Sequence, residues 1–191
     1  PSERGALPEG TLSRYHPMRL IVTGTAGAGK SRTIRSVVQM QRDRVRARQR
    51  SEEEVVGVCV LAAPTGTASF QMKYGACTVH RAFGVSVGYN GPTRDTQSPH
   101  FIAKVQRLRM ARLFVFDEFS MIGRQMFGRI QFRVHEALPS AHREFGRDMS
   151  MGGRDVILAG DPAQAKPLGD EAMYKNGPYE GRGLNLPNKV K

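Results

Sequence analysis

The chain has 191 residues, with 29 Lys and Arg set against 17 Asp and Glu. That length suits one α/β domain with a full core, and the net charge of +12 favours a polyanionic partner, nucleic acid before an anionic membrane. Two cysteines without C-x-x-C spacing, and five histidines without H-x-H or H-x-x-x-H pairs, exclude a zinc framework, while no apolar stretch approaches a membrane span.

Residues 1–17 hold Pro1, Gly5, Pro8, Gly10 and Pro17 with little periodicity and read as an irregular lead-in. Because the chain opens on Pro1 rather than Met, the natural N-terminus is expected upstream, where a transit peptide would be hidden. The first strand is expected at 19–23, RLIVT. It runs directly into Gly24–Ser31, GTAGAGKS, and a helix is expected from Lys30 to near Gln49 with Ile34, Val37, Val38 and Val45 on one face. This is the G-x-x-x-x-G-K-[ST] phosphate loop in the strand-to-helix setting that the motif needs.

The spacing has a physical reason. Gly24, Gly27 and Gly29, with Thr25, Ala26 and Ala28 between them, let successive N–H groups turn inward toward phosphate oxygens. The helix N-terminus, opening on Lys30, Ser31 and Arg32, adds its partial positive charge. Lys30 is expected to reach the β- and γ-phosphates of ATP, and the Ser31 hydroxyl to complete a Mg²⁺ shell. Arg42, Arg44, Arg46, Arg48 and Arg50 toward the helix end read as a solvated, dipole-complementing face more readily than as a DNA contact.

A second strand is expected over Val55–Ala62, apolar on both faces, with Cys59 in the core. It ends in APTGTAS, whose Pro64, Thr65 and Gly66 permit close backbone approach to a phosphate. Short helices follow at about 67–74 and 78–84, with Cys77 in a loop or short helix and His80 placed to stack on a nucleotide or to sit buried. A polar loop occupies 86–99 and a basic helix about 101–111. The third strand, 113–116, delivers Asp117 and Glu118 at its C-terminal end. There Asp117 would hold Mg²⁺ through water and Glu118 would deprotonate the attacking water.

Residues 122–138 carry a helical apolar stripe of Ile122, Met126, Phe127, Ile130, Val134 and Leu138, read as core. The fourth strand, 155–159, ends in GDPAQ, making Gln164 a candidate sensor of the γ-phosphate. Periodicity disappears beyond Leu168. Strands alternating with helices imply a three-layer α/β fold, a parallel sheet with helices on both faces.

GTAGAGKS, APTGTAS, TVHRAF, FDEFSMI and MGGRDVILAGDPAQAKPL, in this order, resemble the motifs of helicase superfamily one, and within it the Pif-type DNA helicases. The Ser-Met after Asp-Glu and the Gly-Gly before the fourth strand make the resemblance specific. It implies a RecA-like ATPase motor domain over 19–168, after a lead-in at 1–18 and before an irregular tail at 169–191 that starts a continuation. By that resemblance Lys30, Asp117, Glu118 and Gln164 act on ATP and Mg²⁺, while Pro64, Thr65, Gly66 and His80 face single-stranded DNA. The whole enzyme would move 5′ to 3′ in the nucleus or mitochondrion and serve repair, recombination and telomere maintenance.

Three departures stand out. Gln164 is followed by Ala165-Lys166-Pro167 rather than Leu-Pro-Pro, no glutamine-bearing adenine motif precedes the first strand, and nothing after Leu168 resembles motifs IV to VI. A second RecA-like domain and its arginine are therefore expected outside this chain, which alone should bind nucleotide, hydrolyse slowly and leave a duplex closed. Two other readings stay open: a phosphate-loop phosphotransferase, and a degenerate remnant that binds nucleic acid through its basic surface.

Overall fold

The computed structural model describes residues 17–85, 96–138 and 150–175. The expected lead-in before residue 17, most of the loop 86–99 and the tail beyond 175 lie outside the described residues. Among these described residues five strands form one all-parallel sheet: β1 (Arg19–Thr23), β2 (Cys59–Ala63), β3 (Cys77–Thr78), β4 (Leu113–Phe116) and β5 (Asp155–Gly160). Their order is β1-β5-β4-β2-β3. Among the described residues six α-helices accompany them: α1 (Lys30–Arg46), α2 (Glu52–Gly57), α3 (Gly66–Met72), α4 (Val79–Phe83), α5 (Pro99–Met110) and α6 (Arg124–Ala137).

Period-two alternation builds the two cores. In β4, Leu113 and Val115 face one side, where they join Leu61, Ile157, and Ile34 and Val38 of α1. Phe114 and Phe116 face the other, against Phe83 of α4, Leu108 of α5, and Ile130 and Val134 of α6. Phe83 stacks on Phe116 at 5.5 Å between ring centroids and meets Phe114 edge-on at 5.6 Å. All four β4 residues are buried, as a strand covered on both faces requires. Among the described residues, no helix is long and apolar enough to cross a membrane.

Three expectations change. The strand expected over Val55–Ala62 splits: its first half is α2 and only Cys59–Ala63 pairs in the sheet. The reason is local. Ser51 Oγ accepts from the Glu54 amide and the Glu54 carboxylate accepts from the Ser51 amide, a complete capping box, with Glu52 and Glu53 adding charge that suits the first turn. Cys77 lies in a strand rather than a loop or helix: Cys77 and Thr78 pair with Ala62 and Ala63. The first helix ends at Arg46, short of Gln49.

Part of the segment read as an irregular tail is also structured. Gly123 and Ala172 form an isolated bridge, and the Arg124 amide donates to the Glu171 carbonyl at 2.8 Å.

Candidate active site

The strand order decides what can meet. Parallel strands present all their C-terminal ends along one edge, and open α/β sheets bind ligands there. Along that edge come, in sequence, Gly24 after β1, Asp161 after β5, Asp117 after β4, Pro64 after β2 and Val79 after β3. The register brings Thr23 level with Gly160, and Phe116 level with Leu158. The Gly24–Ser31, Asp161–Gln164 and Asp117–Glu118 segments therefore occupy three adjacent strand ends, and the APTG and His80 segments the next two.

The phosphate loop is shaped by its own backbone. Gly27 and Gly29 adopt φ of 79° and 88°, the left-handed region that a side chain disfavours, and Gly29 caps α1 from there. The Ala28 amide donates to the Thr25 carbonyl at 3.2 Å, closing the turn. Lys30 Nζ donates to the carbonyls of Gly24 at 2.5 Å and Thr25 at 2.9 Å, which folds the ammonium over the loop. Thr25 through Gly29 are exposed and Ser31 is half-buried. Arg32 is exposed and lines a groove along the outside of α1 with Arg35, Met40 and Tyr74.

Opposite the loop, Asp117 is 7% exposed and its carboxylate accepts from the Glu118 amide at 3.0 Å. Burial pushes the Asp117 carboxyl above its ordinary range, and the Glu118 amide and Lys30 pull it partly back. Glu118 is pushed up as well, first by burial, then by the charge of Asp117, with Lys30 opposing and Asp161 reinforcing. Lys30, Asp117, Glu118 and Asp161 thus share one electrostatic cluster. Glu118 also adopts φ 51°, ψ 44°, a left-handed backbone held at the turn into the 3-10 segment Phe119–Met121. Gly160 makes room for that turn: a Cβ there would stand 3.0 Å from the Phe119 amide nitrogen.

Asp161 is not among the site residues expected from the sequence, although an acid directly after a strand is the same signal that marks Asp117. Its carboxylate accepts from the Ala163 amide at 2.9 Å and its carbonyl from the Gln164 amide at 3.1 Å, turning the loop so that Gln164 is exposed. On the far side, Thr65 caps α3 by accepting from the Ala68 amide, and Pro64 is half-buried while Thr65 and Gly66 are exposed. His80 lies in the first turn of α4, half-buried.

No group of three or more His, Cys, Asp or Glu able to hold a metal occurs among the described residues. The chemistry of the donors fits Mg²⁺ even so. That ion takes one or two protein oxygens and fills the rest of its octahedron with phosphate oxygens and water, and a buried carboxylate with the Ser31 hydroxyl is such a set.

Comparison with known proteins gives a consistent result. The model of the PIF1-like helicase family matches residues 10–176. The ATP-dependent DNA helicase PIF1 of Emericella nidulans is 26% identical over 82% of this chain, a stretch that is 20% of that protein. Among solved structures, two coordinating Pif1 helicases described at forked double-stranded DNA match with TM-score 0.56 and 26% identity, over 82% of this chain and 32% of that one. The Bacteroides Pif1 helicase in complex with ADP-AlF3 and single-stranded DNA matches with TM-score 0.51 and 27% identity, over 79% of this chain and 30% of that one. The chain therefore spans about a fifth of the length of that Emericella nidulans relative.

Proposed function

Because the chain belongs to the PIF1-like helicase family, we propose that it is the nucleotide-binding motor domain of an ATP-dependent DNA helicase that moves 5′ to 3′ along single-stranded DNA. The observation that carries this reading is the meeting of Lys30, which follows β1, with Asp117 and Glu118, which follow β4, in one electrostatic cluster along the shared sheet edge. We assign residues 19–168 to the motor core and its completion to a second RecA-like domain outside this chain. Family resemblance supports a nuclear or mitochondrial location.

Each residue then has a task. Backbone amides of Gly24 to Gly29 cradle the phosphates, with Arg32 close behind, and Lys30 exchanges two loop carbonyls for β- and γ-oxygens. Ser31 and Asp117 would hold Mg²⁺, which when bound offsets the negative charge that builds on the phosphates. Glu118 orients a water for in-line attack and takes its proton, and its raised carboxyl suits it to act as a base. Gln164 reports the γ-phosphate from the neighbouring strand end. Pro64, Thr65, Gly66 and His80 line the DNA side, next along the same edge, so a shift of the sensor loop has a short path to the DNA.

An arginine from the second domain would supply the remaining stabilisation of transferred charge, a contribution of several orders of magnitude in rate. The chain alone is accordingly expected to hydrolyse ATP slowly, with some stimulation by single-stranded DNA, and to leave a forked duplex intact. ATPase assays with and without single-stranded DNA, beside a strand-displacement assay, test this. Hydrolysis indifferent to DNA would favour a phosphotransferase, absence of nucleotide binding would favour a basic nucleic-acid module, and robust unwinding would overturn the two-domain account.

A further inference from the structure

The segment 169–175 touches both loops that the proposed chemistry depends on. Helix α6 begins at Gly123, which offers no side-chain cap. The missing cap comes from 45 residues along the chain: the Asp170 carboxylate accepts from the Gln125 amide at 3.2 Å and the Met126 amide at 3.0 Å, while also accepting from the Glu171 amide at 2.7 Å. Arg124 adds an ion pair to Glu171 at 3.3 Å. Gly123 has φ −81° and ψ 168°, a backbone that any residue adopts, so its lack of a side chain serves space alone: a Cβ would stand 2.2 Å from the Asp170 carboxyl.

Four residues on, the same segment turns to the sensor loop. Tyr174 Oη donates to the Pro162 carbonyl at 3.0 Å, between Asp161 and Gln164. Its ring meets Phe119, the residue after Glu118, edge-on at 6.2 Å. Beyond this, residues 161–164 are held by a turn of their own, built on Asp161.

We propose that residues 169–175 form a strap in which Asp170 and Tyr174 are positioning residues, holding the Glu118 turn and the Gln164 loop at a fixed separation. Asp170 acts through the start of α6 and the short 3-10 segment that joins it to Glu118. Tyr174 acts through the Pro162 carbonyl and the Phe119 ring. The strap deepens the proposed ATPase reading and rests on it. Its contribution is to turnover, because neither residue lies on the phosphate loop where nucleotide affinity originates.

Tyr174→Phe is the sharpest probe, since it deletes the hydroxyl and keeps the ring. Its expected effect is a fall in kcat of roughly ten- to hundredfold, the scale for a small misplacement of reacting groups, with the KM for ATP within about twofold. Asp170→Ala and Gly123→Ala, which remove and displace the same carboxylate, should both lower kcat at least as much. Asp170→Asn, which keeps one acceptor, should recover part of the loss.

Amide hydrogen exchange on the same variants reads the strap without catalysis. Tyr174→Phe should raise exchange at Ala163 and Gln164, and Asp170→Ala at Phe119–Ile122 as well, with β4 and β5 unchanged. If the wild type failed to hydrolyse ATP, the ATPase reading would fall while exchange still decided the strap. An unchanged kcat with unchanged loop exchange, a change in KM alone, or loosening spread evenly through β4 and β5 would each overturn it.

Discussion

The phosphate loop and the acidic corner face each other across one sheet edge, yet they are built in opposite ways. Residues 24–31 are contiguous, largely exposed and held by their own backbone, with Lys30 bonded to carbonyls five and six residues before it. The acidic corner draws on residues from 117 to 174. It is deep, with Asp117 almost fully buried, Glu118 in a left-handed backbone and Gly160 leaving space for the turn between them. On the proposed reading, binding would thus reside in a local motif, which a short stretch of chain can specify. Turnover, on the proposed reading, would reside in a long-range arrangement of charges that must be held against burial and mutual repulsion.

That contrast predicts that the two regions can be broken separately. The largest effect is expected at Glu118. Glu118→Gln should lower hydrolysis by about 10²- to 10⁴-fold, the range for losing a general base, while a nucleotide titration finds affinity little changed. The same variant should melt at a higher temperature at neutral pH, because it removes a carboxylate raised first by burial and then by Asp117. Lower melting would mean that the charge is better compensated in the fold than this account allows.

The pH dependence sharpens the comparison. Both acids hold their protons more tightly folded than unfolded, so at neutral pH their ionised forms weigh against the fold. That penalty is full above the folded pKa and disappears as pH falls through it toward the unfolded value. Mild acidification should therefore relieve it, while kcat/KM declines from above the ordinary carboxylate range because Glu118 of the free protein gains its proton early. Melting curves and rates across pH check the two trends. If kcat/KM declined only within the ordinary carboxylate range, Glu118 would not be the base.

The smallest effect concerns Ser120, in the Ser-Met pair that made the resemblance specific. Its hydroxyl is fully buried and has no hydrogen-bond partner among the described residues. Removing an unsatisfied buried hydroxyl relieves its desolvation, so Ser120→Ala should stabilise by up to about 1 kcal/mol in urea titration. A loss of more than that would reveal a partner for the hydroxyl in solution.

The same division governs what could be read in the chain beforehand. Local patterns were legible: the phosphate loop, the alternation of Leu113 to Phe116 and the stripe of α6 all depend on neighbours in sequence. The capping box at Ser51 and Glu54 was equally local, but a run of valines after it outweighed it. Cys77 and Thr78 form a strand only because Ala62 and Ala63 lie beside them, and two residues carry no period. Asp170 is the clearest case: nothing in a Gly- and Pro-rich stretch marks a carboxylate as the cap of a helix that starts so far upstream.

The central claim is that this chain carries a working nucleotide site whose affinity is local to residues 24–31. Calorimetric titration of ATP with Mg²⁺ into the wild-type chain and into Lys30→Ala tests it most directly. Saturable one-to-one binding is expected of the wild type and loss of detectable binding of the variant, with both proteins melting at closely similar temperatures. No saturable binding by the wild type, or equal binding by the two, would contradict it.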